Sequence, residues 1–266
     1  MGYLDPIVAS TRVRVQQLRT MTSEDTFEQR IAGIEPARSL VAALGGPGMA
    51  IIAEIKRRSP SAGPLRLELD AAALARSYAE GGAAAISVLT EPEHFEGSLE
   101  DMGAACGAGL PVLRKDFIID PLQLLESRAA GADSVLLIVR ILGDELTSFV
   151  PAARALGMEP LVEVHDERDL ARALEAGARI IGVNHRDLET FEVDPARTAT
   201  LAPLIPEDSV LVSLSGVDSA EEVAALASAG ADAVLIGESL VVSEDPVGKL
   251  RELQVETATS VRGARR

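Results

Sequence analysis

Lysine is scarce in this chain. Of 25 basic residues among 266, only Lys56, Lys115 and Lys249 are lysines; the rest are arginines. Lys56 and Lys115 each end a short apolar run, Ala50-Ile51-Ile52-Ala53-Glu54-Ile55-Lys56 and Pro111-Val112-Leu113-Arg114-Lys115. Arginine would supply charge there but keep its proton, whereas a sheltered amine can be tuned to give one up. Two carboxylates occupy comparable places: Glu54, two residues before Lys56, and Glu163, inside Pro160–Val164. Asn184 follows the run Ile180-Ile181-Gly182-Val183. Paired amines and acids can deliver and remove protons, which is what general acid–base catalysis requires.

A second group of residues suits an anion. Ser215-Gly216 and Gly237-Glu238-Ser239 are small residues that end apolar runs and precede helical patterns. Backbone N–H groups at such helix starts can hold a phosphate, helped by the helix dipole. Gly-Ser pairs are also ordinary turns, so the two sites carry weight only together. The Glu238 carboxylate would have to point away from the anion.

The elements that must position these residues recur along the chain. Gly82-Ala83, Gly131-Ala132, Gly177-Ala178 and Gly230-Ala231 each precede a short aliphatic run. Glycine supplies the left-handed cap that ends a helix, and each following run is too short for another helix. Strands are therefore expected at Ala85–Leu89, Ser134–Val139, Ile180–Val183 and Ala233–Ile236. Four more fill the gaps, at Ala50–Ile55, Pro111–Lys115, Pro160–Val164 and Val210–Ser215. Amphipathic helices lie between them, for example Asp166–Ala176 and Ser219–Ala229. Ser219 with Glu221 and Glu222 makes a good helix start.

Strand and helix alternate eight times with no Ser/Gly/Pro-rich linker. That pattern specifies an α/β fold: one closed (β/α)8 TIM barrel with buried parallel strands. Residues 1–47, with their patterned stretch Leu4–Leu44, read as added N-terminal helices. Residues 48–256 read as the barrel, and 257–266 as a frayed tail. In such barrels chemistry sits at the C-terminal strand ends. Period-two alternation puts Glu54 with Lys56, Leu113 with Lys115, Leu161 with Glu163 and Gly182 with Asn184 on inward faces. Four strands thus aim two amines, two acids and an amide into one mouth. A buried structural ion-pair network is the competing reading; agreement of four strands at one end favours a site.

Bulk properties narrow the function. The net charge of -16 opposes binding to nucleic acid or an anionic membrane, though not to a small anionic substrate. A hydrophobic content of 47% suffices for a large aliphatic core. No run is long enough for a signal peptide or a membrane span, so a cytoplasmic protein is expected. Cys106 is the only cysteine and reads as helix filler. His94, His165 and His185 lack ligand spacing, so no metal is expected. His165 reads as a hydrogen-bonded polar residue of a rim loop. Neither a dinucleotide fingerprint nor a Walker loop follows any strand.

The same residues carry a family resemblance. Ile51-Ile52-Ala53-Glu54-Ile55-Lys56-Arg57-Arg58-Ser59-Pro60-Ser61 resembles the signature of the indole-3-glycerol-phosphate synthase family. Leu89-Thr90-Glu91 with Phe95-Glu96-Gly97-Ser98 is similar to its second loop. Leu113–Ile118, Gly182–Leu188 and Leu235–Leu240 also match, in family order and over nearly the whole chain.

The resemblance implies ring closure, decarboxylation and dehydration of 1-(2-carboxyphenylamino)-1-deoxyribulose 5-phosphate, without cofactor or metal. It implies Lys115 as general acid and Glu163 as general base. Lys56 would steady the substrate or act as second acid, and Glu54 would hold the lysines. Ser59, Asn184 and Arg186 would bind or orient the anthranilate part, with Phe95 and Phe117 as walls of its pocket. Ser215, Gly216, Gly237 and Ser239 would hold the phosphate. The protein would be a monomer or weak homo-oligomer.

Three positions depart from the resemblance. Leu214 stands where the family carries an acidic residue, His185 varies the position beside Asn184, and Arg140 follows strand four where a small or apolar residue is expected. These changes leave open a paralogue for a substituted anthranilate, or a catalytically silent barrel. A related phosphoribosylanthranilate isomerase would need a Cys/Asp pair, which the surroundings of Cys106 do not offer.

Overall fold

A computed structural model describes residues 4–46, 48–187 and 192–254. The expected tail, residues 257–266, and Leu188 of the matching segment lie outside the described residues. Eight parallel strands close into a barrel. They are β1 (Ala50–Ile55), β2 (Ala85–Leu89), β3 (Val112–Lys115), β4 (Ser134–Ile138), β5 (Leu161–Val164), β6 (Ile180–Asn184), β7 (Val210–Leu214) and β8 (Ala233–Ile236). Each pairs with its neighbours in chain order, and β8 returns to β1 with Ala50 opposite Ala233.

The alternation expected from the sequence divides the core in two. Ile52, Leu113, Leu136, Leu161, Val212 and Leu235 pack together inside the barrel. Their neighbours Ile51, Val112, Val135, Val162 and Val234 face outward into the layer shared with the helices. Both faces of every strand are thus buried, which is why the strands read as continuous aliphatic runs. Gly82, Gly131, Gly177 and Gly230 all have positive φ, between 76° and 99°. Only a residue without a Cβ makes that reversal at low cost.

The helices start as their caps dictate. Asp166 accepts from the backbone N–H groups of Arg168 and Asp169 to open Glu167–Glu175. Ser219 and Glu222 satisfy each other's backbone donors to open Ala220–Ser228. Three helices precede the barrel: α1 (Leu4–Met21), α2 (Glu24–Ile31) and α3 (Leu40–Leu44). Leu40 and Leu44 of α3 pack with Ala85 and Ala233 near the strand starts. Ile7 of α1 also joins the interior cluster, while Arg14 and Arg19 tie α1 to Asp116 and Asp120 at 3.0 and 2.8 Å.

The structure revises a few boundaries. Val139 leaves the strand and opens a short helix, Val139–Leu142. The loop after β1 contains a small hairpin, Arg58–Ser59 against Gly63–Pro64. Cys106 lies in a 3-10 turn just past the helix Leu99–Ala105. Burial pushes its thiol up, in keeping with a packing role.

Candidate active site

One cleft opens at the C-terminal ends of the strands, enclosing about 1200 Å³ with its open mouth included. Glu54, Lys56, Lys115, Glu163 and Asn184 all line it, each from a predicted strand end. On one side Glu54 bridges the two amines. Lys56 Nζ lies 3.0 Å from its Oε1, and Lys115 Nζ lies 3.9 Å from its Oε2. Across the cleft Asn184 Nδ2 donates to Glu163 Oε1 at 3.0 Å, while Asn184 Oδ1 accepts from the Arg186 backbone N–H at 3.0 Å. Glu54 and Glu163 are almost wholly buried, whereas the lysine ends keep some exposure to the cleft. The ammonium groups are thereby held at the cleft surface, where a substrate can reach them.

The supports behind these side chains are specific. Tyr78 Oη donates to the backbone carbonyl of Glu54 at 3.1 Å, fixing the end of β1. A Cβ on Gly237 would come within 2.6 Å of Glu54 Oε1, so residue 237 must be glycine for Glu54 to take this pose. Lys115 is flanked by Arg114, on the other face of β3, and by Asp116 just past the strand end, and these two pair at 2.9 Å. Arg114 also reaches Thr90, Ser127 and Glu126, and Asp116 also takes Arg14 and Thr90. Burial alone would raise the Asp116 carboxyl. The guanidiniums of Arg114 and Arg14 outweigh it and hold the group well below the usual carboxylate range.

The substrate-binding expectations meet the same cleft. Ser59, Phe95, Phe117 and Arg186 line it. The rings of Phe95 and Phe117 have centroids 6.1 Å apart and are tilted by 36°. Phe95 is set by Glu91, whose buried carboxylate accepts from the backbone N–H groups of Glu93, His94 and Phe95. Ser59 sits in the hairpin, where its Oγ accepts from the Ala62 N–H at 3.0 Å.

On the anion side Ser215, Gly216 and Gly237 line the cleft. Ser215 and Gly216 take consecutive left-handed conformations, at φ 71° and 70°. The carbonyl of Ser215 accepts from His185 Nδ1 at 3.1 Å, and His185 Nε2 meets Thr198 Oγ1 at 2.8 Å. Burial lowers the pKa of this imidazole, consistent with a neutral structural residue. Ser239 is not part of the cleft wall; its buried hydroxyl has no hydrogen-bond partner among the described residues.

One sequence expectation needs correction. His165 lies in the loop after the strand Leu161–Val164 as expected, but its ring is not hydrogen-bonded. Its side chain is wholly buried, and neither ring nitrogen has a hydrogen-bond partner among the described residues. Arg140, which departs from the family pattern, is held by Asp169, Asp187 and Asp166 at 3.3, 3.6 and 3.6 Å. Leu214 fills its place by packing: its Cδ1 would stand 2.8 Å from a Cβ at Gly182. The interior is therefore apolar where the family pattern leads one to expect an acid.

Sequence reasoning missed the roof and the floor. Leu4 and Ile7 of α1 line the cleft, as do Leu136, Ile138 and Leu235 from inside the barrel. A signal for the roof exists in the spacing of Ile7, Thr11 and Val15, the buried face of α1. Nothing in that spacing says which end of the barrel the helix covers.

Comparison with known proteins agrees with this fold. The family model for indole-3-glycerol phosphate synthase matches residues 4–253. A protein of that description from Kineococcus radiotolerans is 49% identical over 253 residues, covering 92% of each chain. The indole-3-glycerol phosphate synthase 1 of Streptomyces coelicolor is 47% identical over 255 residues, covering 95% of each. Among solved structures, a thiamine phosphate pyrophosphorylase from Pyrococcus furiosus has a TM-score of 0.60 at 15% identity, covering 81% of this chain and 96% of that one. That likeness concerns the fold alone.

Proposed function

The chain belongs to the indole-3-glycerol phosphate synthase family, and we propose that Lys115, Glu163, Lys56 and Glu54 carry out the family's reaction in it. As a carboxy-lyase of tryptophan biosynthesis, it converts 1-(2-carboxyphenylamino)-1-deoxyribulose 5-phosphate to indole-3-glycerol phosphate. A carbon–carbon bond forms between the aromatic ring and the ketone carbon, carbon dioxide leaves, and the former ketone oxygen leaves as water.

The observation behind the assignment is the opposition of two charged groups across one cleft. Lys56, Glu54 and Lys115 line one wall, and Glu163 with Asn184 lines the other. In this reading the Lys115 ammonium protonates the ketone oxygen as the ring carbon attacks. Lys56 holds the substrate and supplies the proton with which the hydroxyl departs. Glu163 takes the proton lost in the dehydration, steadied by Asn184. Glu54 keeps both ammonium groups aimed into the cleft. Ser59 and Arg186 bind the carboxylated ring between Phe95 and Phe117. The backbone at Ser215, Gly216 and Gly237 holds the phosphate, with Ser239 behind it. These parts use no cofactor: positioned acids, bases and dipoles supply the catalysis.

Leu214 supports a second reading on specificity. With Leu136, Ile138 and Leu235 it makes an apolar wall in the cleft, which suits an alkyl-substituted anthranilate ring. Turnover of the unsubstituted and the methyl-substituted substrate by purified protein tests both readings through indole fluorescence. Faster turnover of the unsubstituted compound supports the first, and the reverse order supports the second. Tight binding of both without turnover would leave a silent barrel.

No described helix is long and apolar enough to cross a membrane. We propose a cytoplasmic monomer or weak homo-oligomer, which sedimentation velocity would test.

A further inference from the structure

His165 follows β5 with its side chain fully buried between two acids. Its Nε2 lies 3.6 Å from Glu163 Oε1 and its Nδ1 lies 3.7 Å from Asp169 Oδ2. Neither nitrogen is within hydrogen-bond distance of a partner among the described residues. A buried polar ring left this way is costly, and shifts of a few tenths of an ångström would join it to both carboxylates. From this geometry we propose that His165 is a positioning and proton-relay residue, which takes from Glu163 the proton that Glu163 removes from the substrate. The inference rests on Glu163 being the base, as proposed above.

The groups around the ring give the relay its direction. Asp169 Oδ2 accepts from the His165 backbone N–H at 3.1 Å and from Arg140 Nε at 3.3 Å. Burial would raise the Asp169 carboxyl, but the contacts with His165 and Arg140 outweigh it and lower it, so an anion stands beside Nδ1. That anion favours the tautomer with hydrogen on Nδ1, leaving the Nε2 lone pair toward Glu163. Arg140 in turn pairs with Asp166 and Asp187, so the helix after β5, the turn after β4 and the segment after β6 all contribute charge. Asn184 occupies Glu163 Oε1 from the cleft side.

While Glu163 is a carboxylate, no proton lies between it and Nε2. Once Glu163 has taken the substrate's proton, its O–H can donate to Nε2. The O–H bond then breaks, an N–H bond forms, and no electrons change hands. The imidazolium stands between two carboxylates, and Glu163 is again a base. As product leaves and water refills the cleft, the proton returns from Nε2 through Glu163, which lines the cleft, to solvent.

His165→Gln, assayed for indole formation across pH, is the test. Expected is a roughly tenfold lower kcat with KM nearly unchanged, smaller than the about 10²-fold floor for removing a direct acid or base. The acid limb of the kcat profile should differ between wild type and variant, which has no ring to take the proton. An unchanged kcat and profile, or a loss confined to KM, would overturn the relay. Should circular dichroism show that variant unfolded, His165→Gly with added imidazole or pyrazole replaces it. Rescue by imidazole alone supports the relay, because pyrazole has the same size and little basicity. Rescue by both equally, or by neither, overturns it. Glu163→Gln separates the two proposals. If it retains turnover, the base assignment fails; if it is inactive while His165→Gln is normal, only the relay fails.

Discussion

The two faces of β3 carry similar charges and treat them in opposite ways. Inward, Lys115 shares Glu54 with Lys56, at a distance of 3.9 Å that leaves its ammonium loosely held. Outward, one residue to either side, Arg114 and Asp116 are locked at 2.9 Å in a buried network with Arg14, Thr90, Ser127 and Glu126. The inner charges are underpaired and face a cleft, so a substrate can complete them. The outer charges are satisfied by the protein, so nothing else is needed there. Strand pleating makes this possible, since neighbouring residues point to opposite faces and a working group can be flanked by two anchors.

The comparison breaks most visibly at Lys115. Lys115→Met should lower kcat by about 10²–10⁴-fold, the range for a lost general acid. Its urea midpoint should stay close to wild type, because the buried Glu54 keeps Lys56 as its partner at 3.0 Å. A large loss of stability instead would make Lys115 part of the structural network. Arg114→Met should do the reverse. It takes from the buried Asp116 its closest cation and leaves it Arg14 and Thr90, and breaking a buried pair costs about 3–5 kcal/mol. Urea titration should show that loss, while turnover per folded molecule falls by less than in Lys115→Met.

Gly237→Ala sharpens the inner half of the comparison. The new methyl would meet Glu54 Oε1 at 2.6 Å, and the carboxylate must move away. Misplacing a catalytic group by about 1 Å can cost on the order of 10²-fold in rate. Kinetics should show lower kcat with a modest change in stability. Unchanged kcat would mean that Glu54 need not bridge the lysines.

Both halves of β3 were visible in the sequence to different depths. The barrel and its inward polar residues were legible because a buried parallel strand leaves a short aliphatic run and a period of two. The pairing of Lys56, Glu54 and Lys115 follows from that parity at two strand ends. The setting of His165 is hidden from the sequence, because the charges around its ring come from Asp169 one helical turn later and, through it, from Arg140 of another unit. Strand periodicity does not reach either contact. The roof formed by Leu4 and Ile7 was equally hidden, since a helical stripe shows that a face is buried without showing what it covers. The hairpin at Arg58–Ser59 was overlooked although Gly63-Pro64 marks a turn.

The smallest effect concerns the pH response of the outer network. The folded-state pKa of Asp116 lies below its unfolded value, so its charge contributes stability fully above about 3.9, the ordinary aspartate value. That contribution is lost as pH falls from there toward the lower folded value. A single such group changes stability by at most about 1.4 kcal/mol per pH unit. The stability gap between wild type and Asp116→Asn should therefore be constant from neutral pH down to about 5 and narrow below about 4. Urea titrations at several pH values read the gap directly. A gap that stays constant into the acid range would mean that Asp116 stabilises α1 and β3 through hydrogen bonds that an amide keeps. The outer face would then depend on geometry rather than charge, and the contrast with the inner face would lie in packing alone.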